Sequence, residues 1–214
     1  MTRLRISFAL VLIAAAPAAA APAVAAAPAL EAPPALEAPA ALEAPVEAVR
    51  IVEGKAQDGT HYYQDSLLIH ASAATLWAAF TDQAEFRRWS APVSAVDFRL
   101  GGAIEASYDP NGRIGAPDNI RNAFIAYLPG RLLVFRNVQA PALLPGGEVY
   151  GQTVKIVEIE PVGAAATRVT VSGIGFGSGA AFDKLYAFFL RGDGALLERL
   201  RAVYATKAGR EPRR

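Results

Sequence analysis

Residues 167–204 read TRVTVSGIGFGSGAAFDKLYAFFLRGDGALLERLRAVY, and this stretch decides the fold. It holds two periods. Val169 and Val171 alternate with Arg168 and Thr170, the period of two that an antiparallel strand with one buried face requires. After the glycine-rich run Gly173–Gly179 the period changes. Phe182, Leu185, Tyr186, Phe189, Leu196, Leu197, Leu200 and Val203 make a broad apolar stripe on a helix from Ala180 to about Tyr204. Gly192 and Gly194 weaken its middle, where a kink is expected.

Upstream, the chain reads as hairpins. Gln152–Glu160 pairs with Thr167–Gly175 across Pro161–Ala166, and Asn119–Tyr127 with Arg131–Val138 across Leu128-Pro129-Gly130. Val96, Phe98 and Leu100 alternate with Asp97 and Arg99. Beyond Gly101-Gly102, Ile104, Ala106 and Tyr108 alternate with Glu105 and Ser107, and Asp109-Pro110-Asn111-Gly112 forms a turn. Val49–Val52 and His61–Ile69 are strand material around Asp58-Gly59. Ser72 caps a helix over Ala73–Phe80, and Asp82 caps a second over Glu85–Trp89. A one-faced sheet and a long amphipathic helix must bury each other. The order therefore predicts an α+β helix-grip fold: a curved antiparallel sheet wrapped around a long C-terminal helix, with two short helices after the first strand.

The first fifty residues are different in kind. Arg3 and Arg5 precede an apolar run, Ile6–Ala16, and Ala18-Ala19-Ala20 fits the small-residue cleavage pattern, so residues 1–20 read as a secretory signal peptide. The apolar run and Pro17 and Pro22 make a membrane span the poorer reading, since a span needs about 20 residues. Residues 21–49 are almost all Ala, Pro, Glu and Leu, with Leu30, Leu36 and Leu42 in Ala-Leu-Glu-Ala-Pro units. The prolines forbid a continuous helix, leaving a disordered, extended linker that is a tether or plain filler. The folded domain is placed at 50–206 and a basic tail at 207–214. The expected location is periplasmic or secreted.

Formal charge is +1, and from Arg50 onward 19 basic residues face 16 acidic ones. That is too even for a nucleic-acid footprint. The chain has no cysteine, which excludes disulfides, thiolate metal sites and thiol nucleophiles.

Several segments, in order, resemble the START-like (SRPBCC) superfamily, and within it the Aha-type domains, homologues of the activator of heat-shock-protein ATPase. They are Ile69-His70-Ala71-Ser72-Ala73 leading into Leu76-Trp77-Ala78-Ala79-Phe80-Thr81-Asp82, then Phe86-Arg87-Arg88-Trp89 and Asp97-Phe98-Arg99-Leu100-Gly101-Gly102. Leu128–Phe135, Thr167–Val171 and Phe182–Phe189 continue the match, which covers about residues 60–205. The resemblance implies a cavity between sheet and long helix, in which members bind varied hydrophobic ligands or cyclise them. It brings no catalytic motif that maps residue by residue. The co-chaperone role of eukaryotic relatives needs a cytosolic ATP-driven chaperone, from which a signal peptide would remove this chain.

No catalytic constellation stands out. Gly175-x-Gly177-x-x-Ala180 fits a dinucleotide fingerprint only in letters, because no parallel strand follows; it reads as a strand-to-helix turn. Ser178 lacks the nucleophile-elbow frame. His61 and His70 have no clustered carboxylates beside them, so neither a metal nor any other cofactor is expected. The cavity candidates are Trp77, Trp89, Phe98, Tyr108, Phe124, Phe135, Tyr186 and Phe189, which serve equally as core. Arg121 or Arg136, if turned inward, would hold an anionic head group; Arg99 reads as solvated. Pro141–Gly147 is a flap over the cavity or an ordinary loop. The expected role is binding a small hydrophobic or amphipathic molecule, with no nucleic acid and no stable membrane insertion. A cyclase- or hydrolase-like reaction in the same cavity is the alternative, marked by an inward acid. A protein-interaction module with a filled core is the third reading.

Overall fold

Two glycine turns and two side-chain caps set the first half of the domain. β1 (Arg50–Lys55) and β2 (His61–Ile69) form a hairpin around Gly59, whose φ of +88° favours glycine. Helices α1 (Ala73–Thr81) and α2 (Gln83–Trp89) follow. Ser72 Oγ accepts from the Thr75 amide at 3.1 Å, and Asp82 Oδ1 from the Glu85 amide at 2.9 Å. The Trp89 indole donates to Ala79 O at 2.8 Å and locks α2 onto α1. Five further strands follow: β3 (Val93–Val96), β4 (Ala103–Ser107), β5 (Ile120–Leu128), β6 (Leu132–Gln139) and β7 (Val154–Pro161). A 3-10 turn, Gly147–Gln152, lies between β6 and β7. β8 (Thr167–Phe176) then leads into α3 (Ala180–Tyr204). This computed structural model describes residues 47–205; the predicted leader, nearly all of the predicted linker and the basic tail lie outside the described residues.

All eight strands form one antiparallel sheet in the order β1-β2-β8-β7-β6-β5-β4-β3. The sheet is curved, and α3 packs on its concave face against β2 and β8, with α1 and α2 closing one end. This is the helix-grip α+β architecture. The core falls into two apolar clusters. The larger gathers Leu67, Ile69, Phe124, Phe135, Leu197 and Leu200 with the two short helices. The smaller holds Tyr63, Leu144, Tyr150, Phe176, Leu185 and Phe189.

One expectation is corrected and two are refined. The strand expected through Phe98 and Leu100 is β3, and it ends at Val96. The Asp97 amide makes a last bond to Ala103 O at 2.9 Å; the chain then turns, with the Gly102 amide on Arg99 O at 2.9 Å and Gly101 at φ +76°. Gly192 and Gly194, the expected site of a kink, do not interrupt α3, which is helical through all 25 residues. At Gly194 a Cβ would already meet Val49 and Asp65 at 3.6 and 3.7 Å, so packing against the sheet holds this stretch helical. Pro141–Gly147, read as a flap or an ordinary loop, is anchored at two points: Leu144 is buried, and Gly146 lies so close to α3 that a Cβ would sit 2.1 Å from Ala181 O, while Leu143 is exposed.

Ordered contacts begin just ahead of β1. Glu47 pairs with Arg168 at 2.9 Å, its carbonyl accepts from Arg201 at 2.6 Å, and Val49 packs on the core. Among the described residues no helix is long and apolar enough to cross a membrane.

Candidate functional site

Strand alternation and helical spacing put three charged residues where apolar ones are expected. On β2 the inward positions are Tyr63, Asp65, Leu67 and Ile69. On β7 Lys155 shares a face with the buried Val157 and Ile159. On α3 Asp193 stands in the buried row Leu185, Phe189, Asp193, Leu197. Together they form one polar layer between the two apolar clusters.

Its geometry is tight. Tyr63 OH donates to Asp193 Oδ2 at 2.5 Å. The Lys155 ammonium donates to Tyr63 OH at 2.6 Å and also to Asp193 Oδ2. It lies 4.2 Å from the Phe189 ring centroid, a cation–π contact. Gly173 makes room for this: it pairs with Tyr63 on one side and Lys155 on the other. A Cβ there would stand 2.4 Å from the Tyr63 ring, so the ring can cross β8 only over a glycine. Burial, then the charge of Asp193, pushes the Tyr63 phenol far up, so it stays a donor.

Asp65 is the anomaly. It is 0% exposed, and neither carboxylate oxygen has a partner in good hydrogen-bond geometry; the Gly194 backbone N–H is a weak neighbour. Burial and the charge of Asp193 raise its pKa to about 6, against smaller lowerings by Lys155 and the Gly194 N–H. Its folded-state pKa thus lies above the unfolded value, so ionised Asp65 destabilises the fold. That penalty is complete above about pH 6 and fades toward about pH 4, where the unfolded state protonates too. Asp65→Asn is therefore expected to be more stable than the native chain by about 2–3 kcal/mol at neutral pH and equal to it near pH 4. Urea unfolding at both pH values checks this; a gap that ignores pH would remove the buried charge as its cause.

The layer faces a cavity of about 130 Å³ between sheet and α3. Its walls are mainly Phe80, Phe86, Trp89, Phe135, Val157, Phe189 and the leucines of α3, with Lys155 and Asp193 as the charged members. The Tyr150 hydroxyl, also in the wall, donates to Asn122 Oδ1 at 2.8 Å. Tyr108 is 54% exposed as a residue, yet its hydroxyl end reaches toward Ser90, where burial raises the phenol. It also lines a neighbouring surface groove beneath the loop Asp109–Asn119.

Of the nine residues proposed from sequence, Trp89, Tyr108, Phe135 and Phe189 come together on the cavity. The other five lie elsewhere. Phe124 is buried core, between Phe98 at 5.2 Å and Phe135 at 4.9 Å. Trp77 packs edge-on against Phe98 at 5.6 Å, and both lie outside the cavity, partly buried against the larger apolar cluster. Tyr186 turns to β1, donating to Glu53 at 2.9 Å. Arg121 and Arg136 are exposed and turned away from the concave face, so neither holds a head group. The sequence reading missed Asp65, Lys155 and Asp193, whose signal was a charge standing in phase with an apolar row. Among the described residues no cluster of ligating side chains that could hold a metal is present.

The model of the family described as Activator of Hsp90 ATPase homolog 1-like protein matches residues 70–205. No curated protein matches. Among solved structures, a conserved protein of unknown function from Enterococcus faecalis aligns at 15% identity and a TM-score of 0.53, over 75% of this chain and 80% of that one. The Aha1 dimer from Colwellia psychrerythraea aligns at 15% identity and 0.53, over 68% and 97%. An HSP90 activator from Plasmodium falciparum gives 14%, 0.50, and coverage of 68% and 99%. At these identities the structural likeness is one of fold.

Proposed function

Because this chain belongs to the Activator of Hsp90 ATPase homolog 1-like family, we propose that it is an exported binding domain that takes a small hydrophobic or amphipathic molecule between sheet and α3. The cavity carries this reading: it is walled by aromatic and aliphatic side chains and carries a few fixed polar groups, the pattern of a small-molecule site. The Arg3–Ala20 leader pattern supports export. The test is native mass spectrometry of protein purified from periplasm, set against its denatured mass. A reproducible non-covalent adduct is expected, on a chain beginning after Ala20. A ligand-free mass that takes up no added amphipath would sink the binding reading, and a full-length chain in the cytoplasm would sink export.

A reaction in the same cavity is a second reading, and the inward Asp193 is the observation favouring it. In this arrangement Asp193 Oδ2 already accepts from both Tyr63 and Lys155, which suits a fixed anchor better than a proton acceptor. The chaperone-activating role named for the Plasmodium relative would require this chain to meet a cytosolic chaperone, which the leader opposes.

A further inference from the structure

The binding reading leaves the head group of the ligand open, and the charges around the polar layer bear on it. α3 supplies Asp193, β2 supplies Asp65 and Tyr63, and β7 supplies Lys155. Glu53 on β1 adds a weaker negative field at Asp65. Two buried carboxylates thus face one ammonium, and the second carboxylate has no side-chain donor, only the Gly194 backbone N–H nearby. An anionic guest would add a third negative charge at low dielectric, where like charges repel most. A cationic guest would bring the layer to neutrality. The wall also suits a cation: aromatic faces attract positive charge, and the Lys155 ammonium already sits over Phe189 at 4.2 Å. Both donors to Asp193 use Oδ2, and Asp193 itself lines the cavity. Arg199, the cation near Tyr108, is exposed and committed to Ser90 O at 3.0 Å.

Size narrows the guest further. The cavity is about 130 Å³, and apolar cavities on the order of 150 Å³ hold one benzene ring.

We propose that the cavity selects a ring-sized amphipath bearing a protonated amine, with its ammonium against Asp193 and its ring among Phe80, Trp89, Phe135 and Phe189. This rests on the binding reading above.

Three probes of one shape separate the possibilities: 2-phenylethylamine, 2-phenylethanol and 3-phenylpropionate, titrated into the native chain by calorimetry at neutral pH. The amine is expected to bind about tenfold or more tightly than the carboxylate, with the alcohol between them. In Asp65→Asn, which removes the unpartnered charge and keeps the fold, that ratio is expected to shrink several-fold. Equal affinities, or preference for the carboxylate, overturn the amine assignment while leaving a binding cavity in place. An unchanged ratio in Asp65→Asn overturns the role of the excess charge. Binding of none of the three overturns the amine assignment and the cavity reading together.

Discussion

Lys155→Met is expected to destabilise the domain by about 3–5 kcal/mol, because it strips the counter-ion from a buried carboxylate and leaves the charge behind. Methionine is unbranched and only one atom shorter, so packing along β7 changes little. What is lost is the ammonium that bonds Tyr63 and Asp193 and offsets Asp65. In a domain of this size the melting temperature should fall by roughly 2–4 °C per kcal/mol. Denaturant unfolding near pH 7.5 measures it. The double variant Lys155→Met/Asp193→Leu should recover much of the loss, since replacing a buried ion pair by apolar groups is often near neutral. A single-variant loss under about 1 kcal/mol would mean that the layer is well solvated and that its charges are not dielectrically isolated.

Phe124→Ala is expected to be as severe, about 3–5 kcal/mol, by a different mechanism. Phe124 is 0% exposed, and its ring is packed between Phe98 and Phe135. Its backbone is fixed as well: the Gly101 amide donates to Phe124 O at 2.9 Å, and Phe124 N donates to Gly102 O at 2.8 Å. The backbone therefore cannot sink into the space left, and the void stays open. Phe124 is not in the cavity wall, so the surviving folded fraction should bind a ligand with unchanged affinity. Calorimetric unfolding together with a ligand titration at low temperature separates the two effects. A weakened ligand with little loss of stability would move Phe124 from core to site.

The contrast between these two residues shows what the sequence made legible. The strands and α-helices were legible in kind and order, with β3 misplaced toward Phe98 and Leu100 and the 3-10 turn Gly147–Gln152 missed, because an apolar period of two or 3.6 is a property of consecutive residues. Caps at Ser72 and Asp82 were readable for the same reason, since donor and acceptor lie three residues apart. The site was only partly readable. Trp89, Tyr108, Phe135 and Phe189 border the cavity, while Phe124 fills the core beside it and Trp77 and Phe98 pack half-buried against that core, and all these roles select the same side chains. The arginines misled because attention went to charges inside apolar strands without fixing their phase: Arg121 and Arg136 fall on the outward beat. Asp65, Lys155 and Asp193 fall on the inward one. Their partnership was still out of reach, since Tyr63 and Asp193 meet across 130 residues of chain. No local pattern reports that β8 carries a glycine where β2 and β7 need space.

The pairing of β2 with β8 also bears on how fast this chain can become native. Gln64 and Ser172 are ladder partners 108 residues apart, so the middle of the sheet closes only after nearly the whole domain has been synthesised. Until then β2 offers β1 as its sole hairpin partner, and α3 does not yet exist to cover either. Loop closure of that length is costly, so such a topology folds more slowly than helical bundles, which take microseconds to milliseconds. A nascent chain of this order therefore carries β2 without its β8 partner until nearly all of the domain has been made.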